Sequence, residues 1–158
     1  MDSKLSIRIA QLTDESELFK LRNSPEIYKW FINSNMINLE EHKKWLMDRV
    51  ENWPKFTFVA IENNYLVGLC YLKIIAEMKY EISIHVMPNL QNTGIGSNLI
   101  SEMIKSSRKY GVTAIFARIN RENLRSLNFF KKHGFVEYYY QVNEFLVNKN
   151  FATFQLQL

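Results

Sequence analysis

The sequence predicts an α/β fold in which helices cover a mixed, mostly antiparallel sheet. Three strand-like segments (Lys55–Ile61, Tyr65–Ile75 and Lys79–Met87) follow one another with short breaks, which predicts an antiparallel meander. The β-branched, apolar run Val112–Ile119 lies between two segments whose apolar residues recur at helical spacing. This pattern predicts a buried strand flanked by amphipathic helices, so we expect about four helices against one sheet.

The first half of the chain begins with a short predicted strand, Ser6–Ile9, and two helix starts follow it. Asp14-Glu15-Ser16-Glu17 has the pattern of a capping box and predicts a helix that extends through Arg22. Asn38-Leu39-Glu40-Glu41 predicts a second capped helix, which Pro54 ends. The apolar face of this second helix is expected to consist of Leu39, Trp45, Leu46 and Val50.

Turn-forming residues separate the remaining elements. Glu62-Asn63-Asn64 predicts a hairpin between the first two strands of the meander. The helix that begins near Gly96 is expected to end at Gly111, and a second amphipathic helix, Asn123–His133, is expected to end at Gly134. Two further strands are predicted at Phe135–Gln141 and Phe151–Leu158.

Composition and length are those of an ordinary globular domain. The 158 residues are 47% hydrophobic and 23% charged, so we expect a single domain, 1–158, with its own core. Apolar runs such as Leu66–Leu72 are too short to span a bilayer, and Met1–Lys4 lacks an apolar signal core. We therefore expect a cytoplasmic protein without a membrane partner. The single cysteine, Cys70, is expected to be buried rather than nucleophilic.

Positive charge is concentrated in the second half of the chain. The net charge is +4, and the stretch from Lys105 to Lys132 contains eight basic residues against one acidic residue, Glu122. A solvated helix face explains part of this excess, and an anionic ligand or a nucleic acid would explain it too. The basic residues are Lys105, Arg108, Lys109, Arg118, Arg121, Arg125, Lys131 and Lys132.

The segment Met87–Leu99 predicts an anion site made of backbone. It places Gly94 and Gly96 at the start of an amphipathic helix, directly after a strand that Pro88 closes. Glycine removes the Cβ atoms that would keep a diphosphate away from backbone N–H groups, which have no partner inside the helix. A Walker A loop is excluded because its sequence string is absent. A dinucleotide fingerprint is excluded because Leu99 stands where a third small residue is needed.

Two motifs give a resemblance to a known family. Gln91–Gly96 resembles the acyl-CoA pyrophosphate loop of the GNAT N-acetyltransferase superfamily, [RQ]-x-x-G-x-[GA]. Asn123–Phe135 is similar to a second motif of that family, N-x-x-[AS]-x-x-[FL]-Y-x-x-x-G-F, and the order of elements matches across nearly the whole chain. The resemblance implies the GNAT fold, whose sheet is splayed between strands 4 and 5, and acetyl-CoA as the cofactor.

The resemblance also implies residue roles on the donor side. The backbone amides of the glycine turn would hold the pyrophosphate, and the end of the fourth strand would pair with pantetheine, with an amide such as that of Val86 facing the thioester oxygen. Residues of the second motif would touch the cofactor beside them. The cofactor-binding residues implied are Ile84, Val86, Gln91, Asn92, Thr93, Gly94, Ile95, Gly96, Ser97, Asn123, Asn128 and Phe130, with the backbone of His85 included in the pantetheine pairing.

Glu81 is the predicted general base, because it matches the strand position where several enzymes of the family place a catalytic glutamate. His85 alternates in phase with Glu81 and is the competing base, with a pKa nearer neutrality. Phe130 stands where many family members carry a tyrosine thought to protonate the leaving thiolate, so water or the departing ammonium is expected to do this. Three consecutive tyrosines, Tyr138, Tyr139 and Tyr140, are expected to pack rather than act as acids.

The N-terminal helices indicate the acceptor. Leu21–Phe31 and Ile37–Leu46 resemble the branch that acetylates the 4-amino group of UDP-linked amino sugars, and ribosomal-protein N-terminal acetyltransferases share part of the pattern. Aromatic faces would suit a sugar or uracil, and a guanidinium would suit a diphosphate. The predicted acceptor-binding residues are Arg22, Asn23, Trp30, His42 and Trp45, and core packing of the two tryptophans and of His42 remains an alternative.

The sequence thus predicts an acetyl-CoA-dependent N-acetyltransferase in which a primary amine attacks directly in a ternary complex. The expected partner is a small-molecule amine, with an amino sugar nucleotide preferred and a protein N-terminus as the alternative. A non-catalytic CoA-binding module is the alternative of another class. We expect no metal and no nucleic-acid partner, and the chain is expected to be a monomer or a homodimer.

Overall fold

The structure, a computed structural model, describes residues 4–139 and 150–158. Within these ranges the strands form one sheet in the order β1-β2-β3-β4-β5-β7-β6. Neighbouring strands are antiparallel except β4 and β5, which are parallel, so the prediction of a mixed, mostly antiparallel sheet is confirmed. The strands are β1 (Leu5–Ile9), β2 (Thr57–Glu62), β3 (Tyr65–Ala76), β4 (Lys79–Val86), β5 (Ala114–Asn120), β6 (Val136–Glu137) and β7 (Phe151–Gln157).

Helices cover both faces of the sheet. They are α1 (Glu15–Arg22), α2 (Pro25–Tyr28), α3 (Leu39–Asn52), α4 (Ile95–Lys109) and α5 (Leu124–Lys132), and α2 is a single turn begun by a proline that the sequence interpretation did not count as a helix. On one face, α4 buries Leu99 and Ile100 in a core that also contains Ile82 and Ile115. On the other face, α1 and α3 bury a second cluster that includes Leu18, Leu46 and Leu69. No helix in the described ranges has the length and apolar character needed to cross a bilayer.

One of the two predicted capping boxes is present and the other is wrong. At the start of α3, Asn38 Oδ1 accepts a hydrogen bond from Glu41 N at 2.9 Å, and Glu41 Oε2 accepts one from Asn38 N at 3.3 Å. At the start of α1, the Asp14 carboxylate is instead bound by both terminal nitrogens of Arg8, at 2.7 and 2.8 Å. Glu17 accepts a hydrogen bond from Leu66 N, so neither carboxylate caps α1. A charged partner outside the helix outcompetes the local cap.

The buried face of α3 also differs from the prediction. Leu39 is 43% exposed, whereas His42 and Arg49 are buried beside Leu46. Arg49 is buried because its guanidinium donates to Thr57 Oγ1, to the carbonyl oxygen of Phe56 and to that of Leu72. Trp45, Leu46 and Val50 pack on the core as predicted, so the buried face of α3 combines these apolar residues with His42 and Arg49.

The parallel strands β4 and β5 separate along their length. Their register pairs Lys79 with Ala114 and ends with Glu81 opposite Phe116, although β4 continues to Val86 and β5 to Asn120. The strands therefore pair at one end and diverge at the other, which confirms the predicted splay. A gap between two diverging strands exposes backbone and side chains of both, and it forms the first part of the candidate site.

Candidate active site

A cavity of about 560 Å³ fills the gap between β4 and β5. Its walls come from the divergent halves of both strands, from the turn before α4, from α5 and from α2. This volume lies in the range typical of ligand pockets. We call it the donor cavity.

The glycine turn borders the donor cavity with unpaired amides. Gly94 has a φ of 92° at the N-cap of α4, and Asn92 has a φ of 66°, so the chain reverses sharply before the helix. In the described part of the chain, the backbone N–H groups of residues 95–97, in the first turn of α4, have no backbone acceptor, while Asn98 N donates to the oxygen of Gly94. These amides lie at the positive end of a 15-residue helix and suit a diphosphate.

Side chains of the turn hold its shape. Gln91 Nε2 donates to the carbonyl oxygen of Val86 at 3.1 Å, which fixes the turn to the end of β4. Thr93 Oγ1 donates to the carbonyl oxygen of Leu90 at 2.6 Å. Ser97 Oγ and His133 Nε2 lie 3.0 Å apart and connect the start of α4 to the end of α5. The turn is thus braced from both sides before any ligand binds.

Most of the predicted cofactor-binding residues line the donor cavity. Asn123 serves as the N-cap of α5, since its Oδ1 accepts a hydrogen bond from Ser126 N at 3.1 Å. Thr93 and Ile95 do not line the cavity with their side chains, and Ile95 is buried in the core. Those that line it are Ile84, Val86, Gln91, Asn92, Gly94, Gly96, Ser97, Asn123, Asn128 and Phe130.

Phe130 is buried between aromatic neighbours at the edge of the donor cavity. Its ring lies 5.3 Å from that of Phe129 and 5.0 Å from that of Phe135. This side chain therefore contributes an apolar wall and no proton donor. Tyr138 and Tyr139 line neither this cavity nor the one described below, and Tyr140 lies outside the described residues.

A second cavity, of about 310 Å³, adjoins the first and is called here the acceptor cavity. Glu81, Tyr71 and Lys73 line it together with Arg22. The residues that line both cavities are Trp30, Phe31, Ile82, Ser83 and Arg118. The two spaces therefore meet at β4, where the strands diverge.

Glu81 forms a two-pronged ion pair with Arg118 across this junction. Arg118 Nε donates to Glu81 Oε2 at 2.9 Å, and a terminal guanidinium nitrogen donates to Oε1 at 3.0 Å. The Glu81 side chain is 17% exposed and that of Arg118 is 28% exposed. Partial burial makes such a pair stronger than one at the open surface.

His85 lies on the same face of β4 as Glu81 and is enclosed by aromatic rings. Its ring centroid is 4.9 Å from that of Phe31 and 6.2 Å from that of Tyr71. Burial, with a smaller contribution from the charge of Arg22, lowers the pKa of His85 to about 3. Its Nδ1 is buried and has no hydrogen-bond partner within the described residues. The imidazole is therefore neutral at ordinary pH.

Two of the five predicted acceptor-binding residues line the acceptor cavity. The Arg22 guanidinium lies 4.3 Å from the centroid of the Phe31 ring, and burial lowers the pKa of Arg22. Trp30 lines both cavities, and its Nε1 is buried without a hydrogen-bond partner in the described part of the chain. Arg22 makes one hydrogen bond, to the carbonyl oxygen of Asn35 at 3.5 Å, so most of its five N–H donors remain for a ligand.

The other three predicted acceptor residues lie away from both cavities, and for His42 and Trp45 this agrees with the alternative of core packing. Asn23 uses its side chain to bind the backbone of Ile37, accepting at 2.9 Å and donating at 3.0 Å. His42 is 1% exposed, its Nε2 lies 3.1 Å from the carbonyl oxygen of Glu15, and its ring stacks on Trp45. None of these three residues lines either cavity. Asn23 fixes the end of α1 to the segment before α3, His42 joins α3 to α1, and the Trp45 ring contacts Tyr71 of β3 at 5.3 Å.

Sequence reasoning did not assign roles to four residues that line the acceptor cavity: Phe31, Tyr71, Lys73 and Arg118. Lys73 is the β3 residue directly opposite Glu81, so its position beside Glu81 could have been predicted from the register of the β3–β4 hairpin. Arg118 follows Phe116 by two residues, which places it on the face of β5 that Glu81 occupies on β4. Predicting that Arg118 lies beside Glu81 would have required the register of β4 and β5, which α4 separates in the chain.

The comparisons with known proteins agree with this geometry. The model of the Acetyltransferase (GNAT) family matches residues 23–135, and the chain belongs to this family. It is therefore an N-acetyltransferase that uses acetyl-CoA, and the unpaired amides beside a cavity between splayed strands fit that cofactor.

Individual relatives span most of the chain. Acetyltransferase PseH of Campylobacter jejuni is 26% identical over 122 residues, which are 77% of this chain and 76% of that protein. The structure of yncA from Salmonella typhimurium with its cofactor acetyl-CoA has a TM-score of 0.82 at 21% identity, covering 98% of this chain and 94% of that one. Ribosomal-protein-alanine N-acetyltransferase from Brucella melitensis has a TM-score of 0.78 at 24% identity and covers 97% and 99%.

Proposed function

We propose that the enzyme acetylates the primary amine of an amino sugar nucleotide by direct attack in a ternary complex. The observation that carries this proposal is the meeting of the donor and acceptor cavities at Trp30, Phe31 and Ser83. Two adjoining cavities allow both substrates to be bound at once. A covalent route through a thiol is disfavoured, because Cys70 is buried in β3, its burial raises its pKa, and it lines neither cavity.

The donor side is formed by backbone and positive charge. Acetyl-CoA supplies an acetyl group activated as a thioester with a thiol leaving group. The amides of residues 91–97 bind its diphosphate, and Arg125 and Lys132, which line the donor cavity, complement its phosphates. The splayed halves of β4 and β5 hold the pantetheine arm near Ile84 and Val86.

Glu81 is the proposed proton acceptor. A primary alkylammonium has a pKa of ~10, so the attacking nitrogen must lose a proton before its lone pair is available. The Glu81 carboxylate lines the acceptor cavity beside the junction and receives that proton. His85 is a poor alternative, since an imidazole with a pKa of about 3 holds a proton weakly at neutral pH. The nitrogen loses its second proton as the tetrahedral intermediate collapses, and that proton passes directly or through water to the leaving thiolate, because Phe130 offers none.

The charge and the rings of the acceptor cavity support an anionic, nucleotide-linked acceptor. Three basic side chains, Arg22, Lys73 and Arg118, line it against one carboxylate, Glu81. This excess favours a diphosphate and disfavours a polyamine. The rings that line the cavity, including Trp30, Phe31 and Tyr71, offer faces for a sugar or a base. The resemblance of Leu21–Phe31 and Ile37–Leu46 to the amino-sugar branch supports the same acceptor.

A thiol-release screen with acetyl-CoA tests the proposal. The acceptors are UDP-linked amino sugars, polyamines, aminoglycosides and peptides with free N-termini, each supplied at equal concentration. We expect turnover with the sugar nucleotides and none with the polyamines, and we expect Arg22→Ala to raise KM for the sugar nucleotide. Activity on peptides alone would replace the proposed acceptor with a protein N-terminus, the second candidate given by the sequence.

A further inference from the structure

Arg118 occupies a special position between the two cavities. It lines both of them, and its guanidinium holds both carboxylate oxygens of Glu81. Glu81 is the last β4 residue paired with β5, and Arg118 lies two residues past its partner Phe116, where the strands have begun to diverge. The side chain therefore reaches back across the start of the gap.

We propose that Arg118 is a positioning residue that orients the Glu81 carboxylate toward the acceptor amine. The inference rests on the proposed role of Glu81 as proton acceptor. A planar guanidinium fork fixes the plane of a carboxylate, because two parallel hydrogen bonds define it, and it leaves the outer lone pair of each oxygen free to accept a proton. Nothing in the reaction requires Arg118 itself to exchange a proton.

The neighbouring lysine supports this assignment by contrast. Lys73 lies directly opposite Glu81 in the β3–β4 register, yet within the described residues its ammonium forms no ion pair with that carboxylate. Arg118 forms the pair instead, from the strand across the gap. The ammonium of Lys73 is a point charge on a flexible chain and would leave the Glu81 carboxylate free to rotate. The guanidinium fork of Arg118 holds that carboxylate in one plane.

Steady-state kinetics of Glu81→Gln, Arg118→Gln, Arg118→Lys and the double variant Glu81→Gln/Arg118→Gln test this role. Acetyl-CoA is the donor, and the acceptors are a UDP-linked 4-amino sugar and a peptide with a free N-terminus. We expect Glu81→Gln to lower kcat by about 100-fold, the scale of general-base catalysis. We expect Arg118→Gln to lower kcat by on the order of 10-fold, because a displaced base transfers protons less efficiently.

The double variant separates positioning from an independent contribution. If Arg118 acts through Glu81, the double variant has the kcat of Glu81→Gln within about 2-fold, because the two losses are not additive. Arg118→Lys is expected to recover only part of the loss, since its ammonium provides charge without the fork. Acetyl-CoA affinity, measured by calorimetry, is expected to stay within about 3-fold of the parent in both Arg118 variants. If Arg118 mainly bound acetyl-CoA, the affinity would fall by more than that.

Arg8→Gln is the matched control for lost stability. Arg8, on β1, binds both carboxylate oxygens of Asp14 with two guanidinium nitrogens, as Arg118 does with Glu81. In the sheet, β2 and β3 separate β1 from β4. We expect Arg8→Gln to lower the melting temperature as Arg118→Gln does, and to leave kcat unchanged.

Two outcomes would overturn the inference: a loss of kcat in the double variant equal to the product of the two single losses, or full kcat in Arg118→Gln. Full kcat in Glu81→Gln would overturn the role of Glu81 itself, and a parent enzyme active only on the peptide would overturn only the sugar acceptor.

Discussion

Gly96 lies against the ring of Phe129. A Cβ added at position 96 would approach Phe129 Cε2 to 3.1 Å and Cζ to 3.4 Å. The second glycine of the turn is therefore required by the packing of α4 on α5 as well as by access to the amides. One contact joins the two motifs that identify the family, because Phe129 belongs to the second of them.

Gly96→Ala is expected to weaken acetyl-CoA binding by about 10-fold, since overpacking costs about 1–3 kcal/mol and moves the turn amides. Calorimetric titration with acetyl-CoA measures the change. Ser101→Ala, at an exposed position of the same helix, is the matched control and should bind normally. Gly94→Ala tests backbone strain instead of overpacking. No atom lies within 4 Å of a Cβ added at position 94, but the φ of 92° there is strained for any residue with a side chain. Unchanged affinity in Gly96→Ala would contradict the packing argument.

His85 is expected to make the protein less stable as the pH falls. The unfolded chain binds a proton on this imidazole near pH 6.5, whereas burial keeps the folded protein from binding it until about pH 3. The free energy of unfolding contributed by this group is therefore unchanged above pH 6.5 and falls by about 1.4 kcal/mol for each pH unit below it. Urea unfolding at pH 7, 6, 5 and 4 measures the slope.

The variant His85→Gln isolates this contribution. It has no titratable ring, so its stability should fall less steeply than that of the parent between pH 6 and pH 4. His42, whose pKa is also lowered by burial, remains in both proteins and cancels in the comparison. Parallel stability curves for the two proteins would show that His85 titrates normally.

Arg49 is expected to be a major stabilising residue despite its charge. Its guanidinium donates to three oxygens of β2, β3 and the turn before β2, at 3.0, 3.2 and 2.6 Å. Arg49→Ala should lower the free energy of unfolding by about 3 kcal/mol, because buried acceptors lose a charged donor. Arg49→Lys should recover less than half of that loss, since one ammonium cannot reach all three acceptors.

Urea unfolding at pH 7 measures both Arg49 variants. Lys44→Ala, on the exposed face of the same helix, is the matched control and should change stability by less than about 0.5 kcal/mol. A loss in Arg49→Ala as small as that of the control would mean that water replaces the guanidinium at little cost.

The parts of the fold predicted correctly from the sequence are those encoded by neighbouring residues. Asn63 and Asn64 both adopt positive φ, as the hairpin between β2 and β3 requires, and the capping box at Asn38 is formed as expected. The glycine turn and the start of the helix predicted over Asn123–His133 are local in the same sense. Each depends on backbone preferences that act within a few residues.

The failures involve partners that are distant in sequence or chosen by packing. Arg8 takes the carboxylate that was expected to cap α1, and the pairing of Glu81 with Arg118 depends on a register set across α4. On α3, His42 and Arg49 are buried beside Leu46, and the apolar pattern did not predict the burial of either. Apolar spacing alone cannot signal the burial of His42 and Arg49, because both side chains are polar.

The tyrosines after β6 are expected to play no part in catalysis. Tyr138 is 37% exposed and Tyr139 is 78% exposed, and neither lines the donor or the acceptor cavity. A general acid must lie within hydrogen-bond reach of the leaving thiolate, and removing one typically costs on the order of 100-fold or more. Tyr138→Phe, Tyr139→Phe and Tyr140→Phe should therefore each keep kcat within a few-fold of the parent in the thiol-release assay. A loss of ~100-fold in any one of them would identify that hydroxyl as the acid that Phe130 cannot provide, and would replace the proton from the attacking nitrogen in the proposed mechanism.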